Sequence, residues 1–344
     1  MNNRLLELDV FRGFAAFSVM LYHYTNQYDN LYEHTTYFPD LSFGYYRLHL
    51  FFLLSGFVTV LLLERIKTPM DFIVSRFSRL FPTYWVSITI TFLVVTLFSL
   101  PGREVTGLEY LINLTMLEGF LNVPYVDGAH WTLTLELKFY FFMFVLFVFG
   151  FISKKLELVA FLTVTYSAAC CISRQYYEMD LIHNYIWTLF NFGFIQVMVI
   201  GMMFYRIHKH GTTSERYMII LLSLLTHYVY HGINETFVVS ILCCMFFMFN
   251  QGYLRWICVS PLLFLGNISY ALFLIHESIG YVVMRYLESN GIPSVLAIMI
   301  AVLNALLLAT IMHYSVEKPS LSIIRKGYKH LKTYTFRLPL RQGA

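Results

Sequence analysis

Two arginines three residues apart are the first side chains of this sequence that predict chemistry. Arg76 and Arg79 lie in the stretch FIVSRFSRLFPTYW, just before Pro82 and a long apolar run. A helical spacing of three places both guanidinium groups on one face. Guanidinium groups are permanently charged and bind phosphate through two parallel hydrogen bonds. The pair therefore favours binding of a phosphate-rich ligand at the mouth of a membrane-spanning segment.

Another arginine and a histidine lie on the first apolar run. Arg12 and His23 are eleven residues apart, which is about 16 Å along a helix and close to three full turns. Both side chains are thus predicted to point to nearly the same side. A cation at the entrance and a base deeper inside suit a long ligand with an anionic head. The alternatives are an arginine that only marks topology and a histidine that is only a hydrogen-bonded structural residue.

Carboxylates at membrane depth are costly, so each one is a functional hypothesis. Glu136 lies one turn into the apolar run HWTLTLELKFY. Lys138 cannot share its face, because two residues turn a helix by about 200°. An inward-facing histidine or arginine is the expected partner of Glu136. Glu317 is expected to pair with Arg12 or with the arginine pair described above, and a plain structural ion pair is an equal alternative.

The elements that carry these residues are predicted to be membrane helices. The chain has 344 residues, 58% hydrophobic and only 13% charged, whereas an ordinary soluble domain is about 25% charged. Many of its apolar runs approach the ~20 residues that cross a bilayer. We predict an all-α polytopic membrane protein with about ten transmembrane helices. They cover residues 10–25, 43–63, 82–100, 131–152, 156–173, 186–205, 217–231, 235–250, 261–283 and 293–315.

The distribution of charge predicts the orientation of these helices. Ten spans put both termini on one side, and most of the 24 lysines and arginines fall on that side. The positive-inside rule therefore places the N-terminus and the C-terminus in the cytoplasm. Residues 1–319 are predicted to form one transmembrane domain, and residues 320–344 a basic cytoplasmic tail that suits anionic lipid. Nucleic-acid binding is not expected, because the net charge of +4 reflects the topology.

The sequence lacks the patterns of several common enzyme classes. It contains no phosphate-binding glycine loop ending in Lys-Ser/Thr, no HExxH zinc motif and no Gly-x-Ser-x-Gly elbow. Its five cysteines indicate neither a disulfide framework nor a metal pattern. We therefore expect no metal. The first apolar run has no signal-peptide cleavage site and is expected to remain as a span.

Six segments taken together resemble the membrane acyltransferase family 3, whose members acylate sugars and lipids at bacterial surfaces. They occur in the family's order between residues 8 and 319, and the first and third are the most specific. The segments are LDVFRGFAAFSVMLYHY, FFLLSGF, SRFSRLFPTYW, HWTLTLELKFY, GNISYALFLIH and VEKP. The resemblance implies the stand-alone form, without the extracytoplasmic hydrolase-like domain that some members carry.

The resemblance implies a role for each matching position. Arg12 corresponds to the family's first-span arginine, and His23 to its essential histidine. Arg76 and Arg79 match paired arginines that are associated with the use of acyl-CoA. Recurring positions of less defined role match Glu136, Ser269, Tyr270 and Glu317.

The chain departs from the family's pattern just before FFLLSGF. Many members have Gly-Val and then an acid there, whereas this chain has Arg47, Leu48, His49 and Leu50. If that acid orients the catalytic histidine, His49 cannot do so as a carboxylate would. Either Glu136 takes this task, or the site works with two histidines.

The resemblance implies an integral O-acyltransferase of the bacterial cytoplasmic (inner) membrane. Acyl-CoA, most commonly acetyl-CoA, would be the donor substrate with no bound cofactor. A glycan or lipid-linked glycan of the cell surface, such as O-antigen or exopolysaccharide, would be the acceptor. His23 suits a general base near neutral pH, and direct transfer and an acyl-histidine relay are both open. Buried Arg, His and Glu would also suit a transporter or flippase of an acyl or glycan-lipid substrate, although no inverted repeat is visible.

Overall fold

The fold consists of helices joined mostly by short connections. The computed structural model describes residues 4–32, 44, 46–176 and 193–337. Every regular element in this part of the chain is helical, as predicted for an all-α membrane protein. The sixth predicted span, 186–205, begins outside the described residues.

Helices of the first half carry most of the predicted site residues. They are α1 (Leu6–Tyr22), α2 (Tyr28–Tyr32), α3 (Arg47–Leu63), α4 (Pro69–Phe98), α5 (Gly107–Asn113), α6 (Glu118–Leu121), α7 (Trp131–Val148), α8 (Phe151–Lys154) and α9 (Leu156–Tyr176). A capping box starts α4, since the Thr68 hydroxyl accepts a hydrogen bond from the Asp71 N–H and the Asp71 carboxylate accepts one from the Thr68 N–H. A π-helical turn, His23–Gln27, follows α1 directly.

Helices of the second half are interrupted at two places. They are α10 (Ile195–His210), α11 (Ser214–Asn250), α12 (Ser260–Ile275), α13 (Glu277–Ser289), α14 (Ser294–Met312) and α15 (Lys318–Arg337). Gly232 breaks α11 with φ 79° and ψ −172°, a conformation that only glycine adopts readily. This break lies between the predicted spans 217–231 and 235–250. The second interruption is a 73° bend between α12 and α13, inside the predicted span 261–283.

In the described part of the chain, fewer than ten helices have the length and composition of a membrane span. Among the described residues, five helices are long and apolar enough to cross a membrane, or up to six if the bent pair α12–α13 is one span. The helices α1, α3 and α10 contain only 17, 17 and 16 residues. The protein is thus an all-α membrane protein. The count of ten and the cytoplasmic termini stay predictions.

Glycines bring the site-bearing helices close to their neighbours. A Cβ at Gly56 of α3 would lie 1.9 Å from the carbonyl oxygen of Met198 on α10, and small residues allow such close contact between membrane helices. A Cβ at Gly13 of α1 would similarly lie 2.5 Å from the backbone nitrogen of Gly266 on α12. These close contacts set the positions of α1 and α3.

The described part of the basic tail, residues 320–337, belongs to the helix α15, which lies beside the start of α4. The Tyr328 hydroxyl and Lys332 Nζ each donate a hydrogen bond of 2.8 Å to Asp71 Oδ1. On α15, Ile323 and Leu331 are each 69% exposed. The contact of this helix with anionic lipid, and a domain boundary at residue 319, stay predictions.

Candidate active site

A polar pocket surrounds the π-helical turn that follows α1. We call it the histidine pocket, and its volume is about 190 Å³. Its polar lining includes His23, Gln27, Arg47, Arg103, Thr132 and Glu277. π-helical turns occur frequently at functional sites. Here the turn places the largely buried imidazole of His23 in the same pocket as Arg47, Arg103 and Glu277.

Two charged side chains set the protonation pattern of His23. Nη2 of Arg47 donates a hydrogen bond of 3.0 Å to Nε2 of His23, because a guanidinium group can only donate. In the neutral imidazole, Nε2 therefore carries the lone pair and Nδ1 the proton. Nδ1 lies 3.1 Å from Oε2 of Glu277. A carboxylate in this position orients the imidazole and stabilises the imidazolium that forms when Nε2 takes up a proton.

Glu277 is held at the break between two helices. It is the first residue of α13, where the helix N-terminus favours a negative charge. Its Oε1 accepts a hydrogen bond of 2.8 Å from Nη2 of Arg103. Gly128 leaves room for this pair, because a Cβ there would lie 2.3 Å from the same oxygen. Sequence reasoning missed Glu277, although a carboxylate inside the predicted span 261–283 is itself a functional signal.

A second histidine and a second carboxylate lie behind this pair. The ring centroids of His276 and His23 are 5.1 Å apart, and Nδ1 of His276 lies 2.8 Å from the carbonyl oxygen of Phe273. Asp127 accepts a hydrogen bond of 3.0 Å from the backbone N–H of Ser278. Asp127 and His276 are both fully buried. Their contacts fix the start of α13 and with it the carboxylate that faces His23.

A separate pocket contains all three of the predicted acyl-CoA-binding arginines. We call it the arginine pocket, and its volume is about 120 Å³. Its polar lining consists of Arg12, Ser55, Arg76, Arg79, Thr132, Glu136, Tyr140, Ser269 and Tyr270. Sites that enclose a whole drug-sized ligand measure roughly 300–1,000 Å³. The pocket therefore suits one end of a ligand whose remainder lies outside it.

Hydroxyl groups satisfy Glu136 inside the arginine pocket. Its Oε1 accepts a hydrogen bond of 3.2 Å from Ser55 Oγ and another from the Tyr140 hydroxyl. Nη1 of Arg76 donates to the same Tyr140 hydroxyl over 3.2 Å, and its guanidinium carbon lies 4.5 Å from the centre of the Tyr140 ring. An arginine is thus linked to Glu136 through Tyr140 rather than directly.

The other two arginines of this pocket have carboxylate partners. Nη1 of Arg79 donates to Oε1 of Glu317, which is one of the pairings that the sequence predicts. Nδ1 of His313 lies 2.9 Å from the second oxygen of Glu317. Arg12 pairs with Asp9 over 2.8 Å. Both guanidinium charges are therefore partly neutralised before any ligand binds.

Arg76 differs from these two arginines. Within the described ranges, no carboxylate lies within ion-pair distance of it. Its Nε, like that of Arg12, is buried without a hydrogen-bond partner. Arg76 therefore offers a positive charge and an unused donor to an anionic ligand. Among the three predicted acyl-CoA-binding arginines, it is the one whose charge has no carboxylate partner in the described ranges.

The two pockets meet at a shared wall, which we define as Phe51, Thr132 and Phe273. These three residues line both pockets, and the ring centroids of Phe51 and Phe273 are 5.5 Å apart. The wall is therefore one layer of side chains thick. It separates Arg12, Arg76 and Arg79 from His23.

Glu136 does not reach His23. On α7, Thr132 belongs to the shared wall and Glu136 lies one turn further along, on the side of the arginine pocket. The carboxylate that faces His23 is consequently Glu277. A second histidine does lie beside His23, and it is His276 rather than His49.

Three residues predicted to support the site have different surroundings. Ser269 lines the arginine pocket, but its hydroxyl donates to the carbonyl oxygen of Gly266 in its own helix over 2.8 Å. Tyr270 lies beneath Arg79, with the guanidinium carbon 5.3 Å from the ring centre. His49 lines neither pocket. It belongs to a group with His227 and Glu235 whose ligand atoms lie close enough together for a metal ion.

Comparison with known proteins identifies the class of this protein. The family model described as an acyltransferase domain, acyltransferase family 3, matches residues 5–314. The chain belongs to this family. It is similar to nodulation protein 10 of Rhizobium leguminosarum bv. viciae, with 32% identity over 155 residues, 38% of this chain and 41% of that relative. The match thus spans about two fifths of the relative's length. No solved structure matches the chain.

Proposed function

We propose that this membrane acyltransferase moves an acyl group, most simply acetyl, from cytoplasmic acyl-CoA to a hydroxyl group of a cell-surface glycan. Bacterial O-antigen and exopolysaccharide are the acceptors of first choice. The proposal is carried by the arrangement of the two pockets. A cationic pocket suited to the donor and a histidine pocket suited to proton transfer share a single wall.

The donor enters from the arginine pocket in this proposal. Phosphate groups of acyl-CoA bind Arg76 first, because that guanidinium group has no carboxylate partner among the described residues. Arg79 and Arg12 add charge at the same mouth. The small volume of the pocket suits the pantetheine arm and the thioester, with the nucleotide part outside. The thioester then reaches the shared wall.

His23 acts as the general base on the other side of the wall. Its Nε2 accepts the proton of the acceptor hydroxyl while that oxygen attacks the thioester carbonyl carbon. The new ester C–O bond forms, the C–S bond breaks, and the proton passes from His23 to the departing CoA thiolate. Glu277 stabilises the imidazolium in between, and Arg47 must yield its hydrogen bond at Nε2 to the hydroxyl. In the alternative relay, Nε2 itself takes the acyl group and passes it to the hydroxyl.

Release of free CoA thiol tests this proposal. The purified protein in detergent receives acetyl-CoA and a crude surface-glycan extract, and thiol is followed by a colorimetric reagent. We expect release with the wild type and with His330→Ala, a change on the exposed face of α15. We expect no release with His23→Ala, which should remain inserted and folded. Release by His23→Ala at the wild-type rate would contradict the mechanism.

A transporter or flippase is the competing function, because the bent pair α12–α13 resembles the broken helices of many transporters. Thioester consumption separates the two functions. A transporter would move its substrate across proteoliposomes without releasing thiol. Binding of acetyl-CoA to the same detergent sample provides a further test, since absence of binding would remove the donor site from the proposal.

A further inference from the structure

A cluster of histidines lies beside the start of α3, away from both pockets. His49 is the third residue of α3, and its partners His227 and Glu235 flank the break in α11. One ligand atom from each of these three side chains lies within 4.8 Å of the other two. The two histidines are fully buried. A fourth residue, His231, contacts Glu235 from the same helix.

Backbone carbonyl groups set the tautomers of two histidines in this cluster. Nδ1 of His49 lies 3.0 Å from the carbonyl oxygen of Tyr46, and Nε2 of His231 lies 2.6 Å from that of Gly193. A carbonyl oxygen only accepts, so these nitrogens carry the protons. The other nitrogens carry lone pairs and face Oε2 of Glu235, at 3.2 Å from His49 and 3.3 Å from His231. Lone pairs and a carboxylate oxygen repel one another unless a cation lies among them.

His227 shows what kind of cation fits. Neither of its ring nitrogens has a hydrogen-bond partner within the described ranges, although both are buried. Its ring centroid is 5.1 Å from that of His49 and 4.5 Å from that of His231. A buried polar group without a partner is costly. A proton shared between His49 and Glu235 would leave His227 unsatisfied, whereas a metal ion can bind all three side chains.

We propose that His49, His227 and Glu235 bind a divalent transition metal ion, with Zn²⁺ as the simplest candidate. Imidazole nitrogens and a carboxylate oxygen form a common zinc donor set. Zinc–ligand bonds of about 2.0–2.1 Å at tetrahedral angles separate neighbouring ligand atoms by about 3.3 Å, which matches the 3.2 Å between His49 and Glu235. Metal-bound histidines usually donate their second N–H to a backbone carbonyl, as His49 does to Tyr46. Nδ1 of His231 lies 3.3 Å from the same carboxylate oxygen and offers a further lone pair to the ion.

The role of this metal ion is to fix the start of α3 to the break in α11. Arg47, which donates to Nε2 of His23, lies two residues before His49 on the same helical turn. The metal ion touches neither pocket and takes no part in acyl transfer. The inference therefore does not depend on the proposed function.

Zinc content of the purified full-length protein is the test. The protein is isolated without a polyhistidine tag, dialysed against buffered Zn²⁺ at pH 7.5, and analysed for metal and protein on the same sample. We expect about one zinc ion per chain for the wild type and for the surface control His330→Asn. For His227→Asn and for Glu235→Gln, we expect zinc affinity to fall at least tenfold, because each change removes one ligand.

Two outcomes would overturn the proposal. One is a wild-type protein that binds no zinc above the detergent blank. The other is unchanged zinc affinity in both His227→Asn and Glu235→Gln. Glu235→Gln guards against misfolding, because the amide has the shape of the carboxylate and can donate to the lone pairs of the histidines. Cobalt titration gives a second readout, since an intense visible absorption of tetrahedral Co²⁺ in the wild type should be lost in both variants.

Discussion

Two arginine clusters in this protein differ in how completely their donors are used. Where α9, α10 and α11 meet, Arg206 donates through Nε and Nη2 to the two oxygens of Glu157, over 2.9 and 3.1 Å. Arg216 donates to the same carboxylate through Nε and Nη2. In the arginine pocket, Arg76 has no such partner within the described residues and keeps a buried, unused Nε.

This difference separates an arginine that holds helices together from one that is available to a ligand. The third nitrogen of Arg206 donates to Glu64 over 3.1 Å, and that of Arg216 donates to the carbonyl oxygen of Gly211 over 2.5 Å. No cavity opens onto these groups among the pockets described above. Burial and charge alone would not distinguish the two clusters. They differ in whether the guanidinium N–H groups already donate hydrogen bonds to the protein. Four substitutions test the comparison.

Glu157→Ala should have the largest effect, on stability. It leaves the buried charges of Arg206 and Arg216 without their shared carboxylate, and breaking a buried ion pair from one side costs about 3–5 kcal/mol. We expect the melting temperature in detergent to fall by roughly 10 °C. Arg76→Ala is the matched control, and it should melt like the wild type because it leaves no carboxylate unpaired. Equal destabilisation by both changes would mean that the two clusters do not differ.

Glu277→Gln should lower turnover by about 10²-fold, because the amide cannot stabilise the imidazolium of His23 as the carboxylate does. Acetyl-CoA binding lies on the far side of the shared wall, so KM for the donor should stay within about twofold. The measurement is steady-state thiol release at several donor concentrations. Glu136→Gln is the comparison, and its turnover should fall less. A larger fall in Glu136→Gln would return the orienting role to Glu136.

Arg76→Ala should weaken acetyl-CoA binding about tenfold or more, since a hydrogen bond to a charged group contributes about 1.5–3 kcal/mol. Titration of the detergent-purified protein with acetyl-CoA measures this change directly. Arg65→Ala, at an exposed position after α3, should bind as the wild type does. Raised salt should weaken donor binding in the wild type and have a smaller effect in Arg76→Ala. An unchanged affinity in Arg76→Ala would remove the phosphate role.

Ser269→Ala should have the smallest effect. The Ser269 hydroxyl donates to the carbonyl oxygen of Gly266 within its own helix, so its loss leaves no ligand contact unmade. We expect thiol release and donor affinity within about twofold of the wild type, and a stability change of about 0.5 kcal/mol or less. A tenfold loss of activity in this variant would show that the hydroxyl turns towards the ligand during the reaction.

The sequence predicts the arginine pocket better than the histidine pocket. Arg76 and Arg79 face one cavity because their spacing is helical, and helical spacing is a local property. The pairing of Arg79 with Glu317 was one of the predicted alternatives. The contact between Arg103 and Glu277 joins residues 174 positions apart, and only the bend at His276 creates it. No local pattern contains such information, so the sequence offered Glu136 or a second histidine as the partner of His23 and missed Glu277.

His49 is a second residue whose surroundings the local sequence does not predict. Its position just before FFLLSGF, where many family members have an acid, suggested a role in supporting the catalytic histidine. Helical geometry directs the two side chains away from each other, because a separation of two residues turns a helix by about 200°. Arg47 reaches His23, and His49 reaches Glu235. The helix thus places two polar residues that are two positions apart in two separate groups of side chains.

The shared wall of Phe51, Thr132 and Phe273 has an electrical consequence. If both pockets admit water, most of the transmembrane voltage falls across this single layer of side chains. Moving one elementary charge through it then changes the energy by about 2.3 kcal/mol per 100 mV. In the proposed reaction the acyl group carries no charge across the wall, whereas a proton that crosses it carries one elementary charge. We therefore expect Phe51→Ala to raise the proton leak of proteoliposomes, as measured with an internal pH dye. The rings of Phe51 and Phe273 would then be the groups that keep protons from crossing between the two pockets.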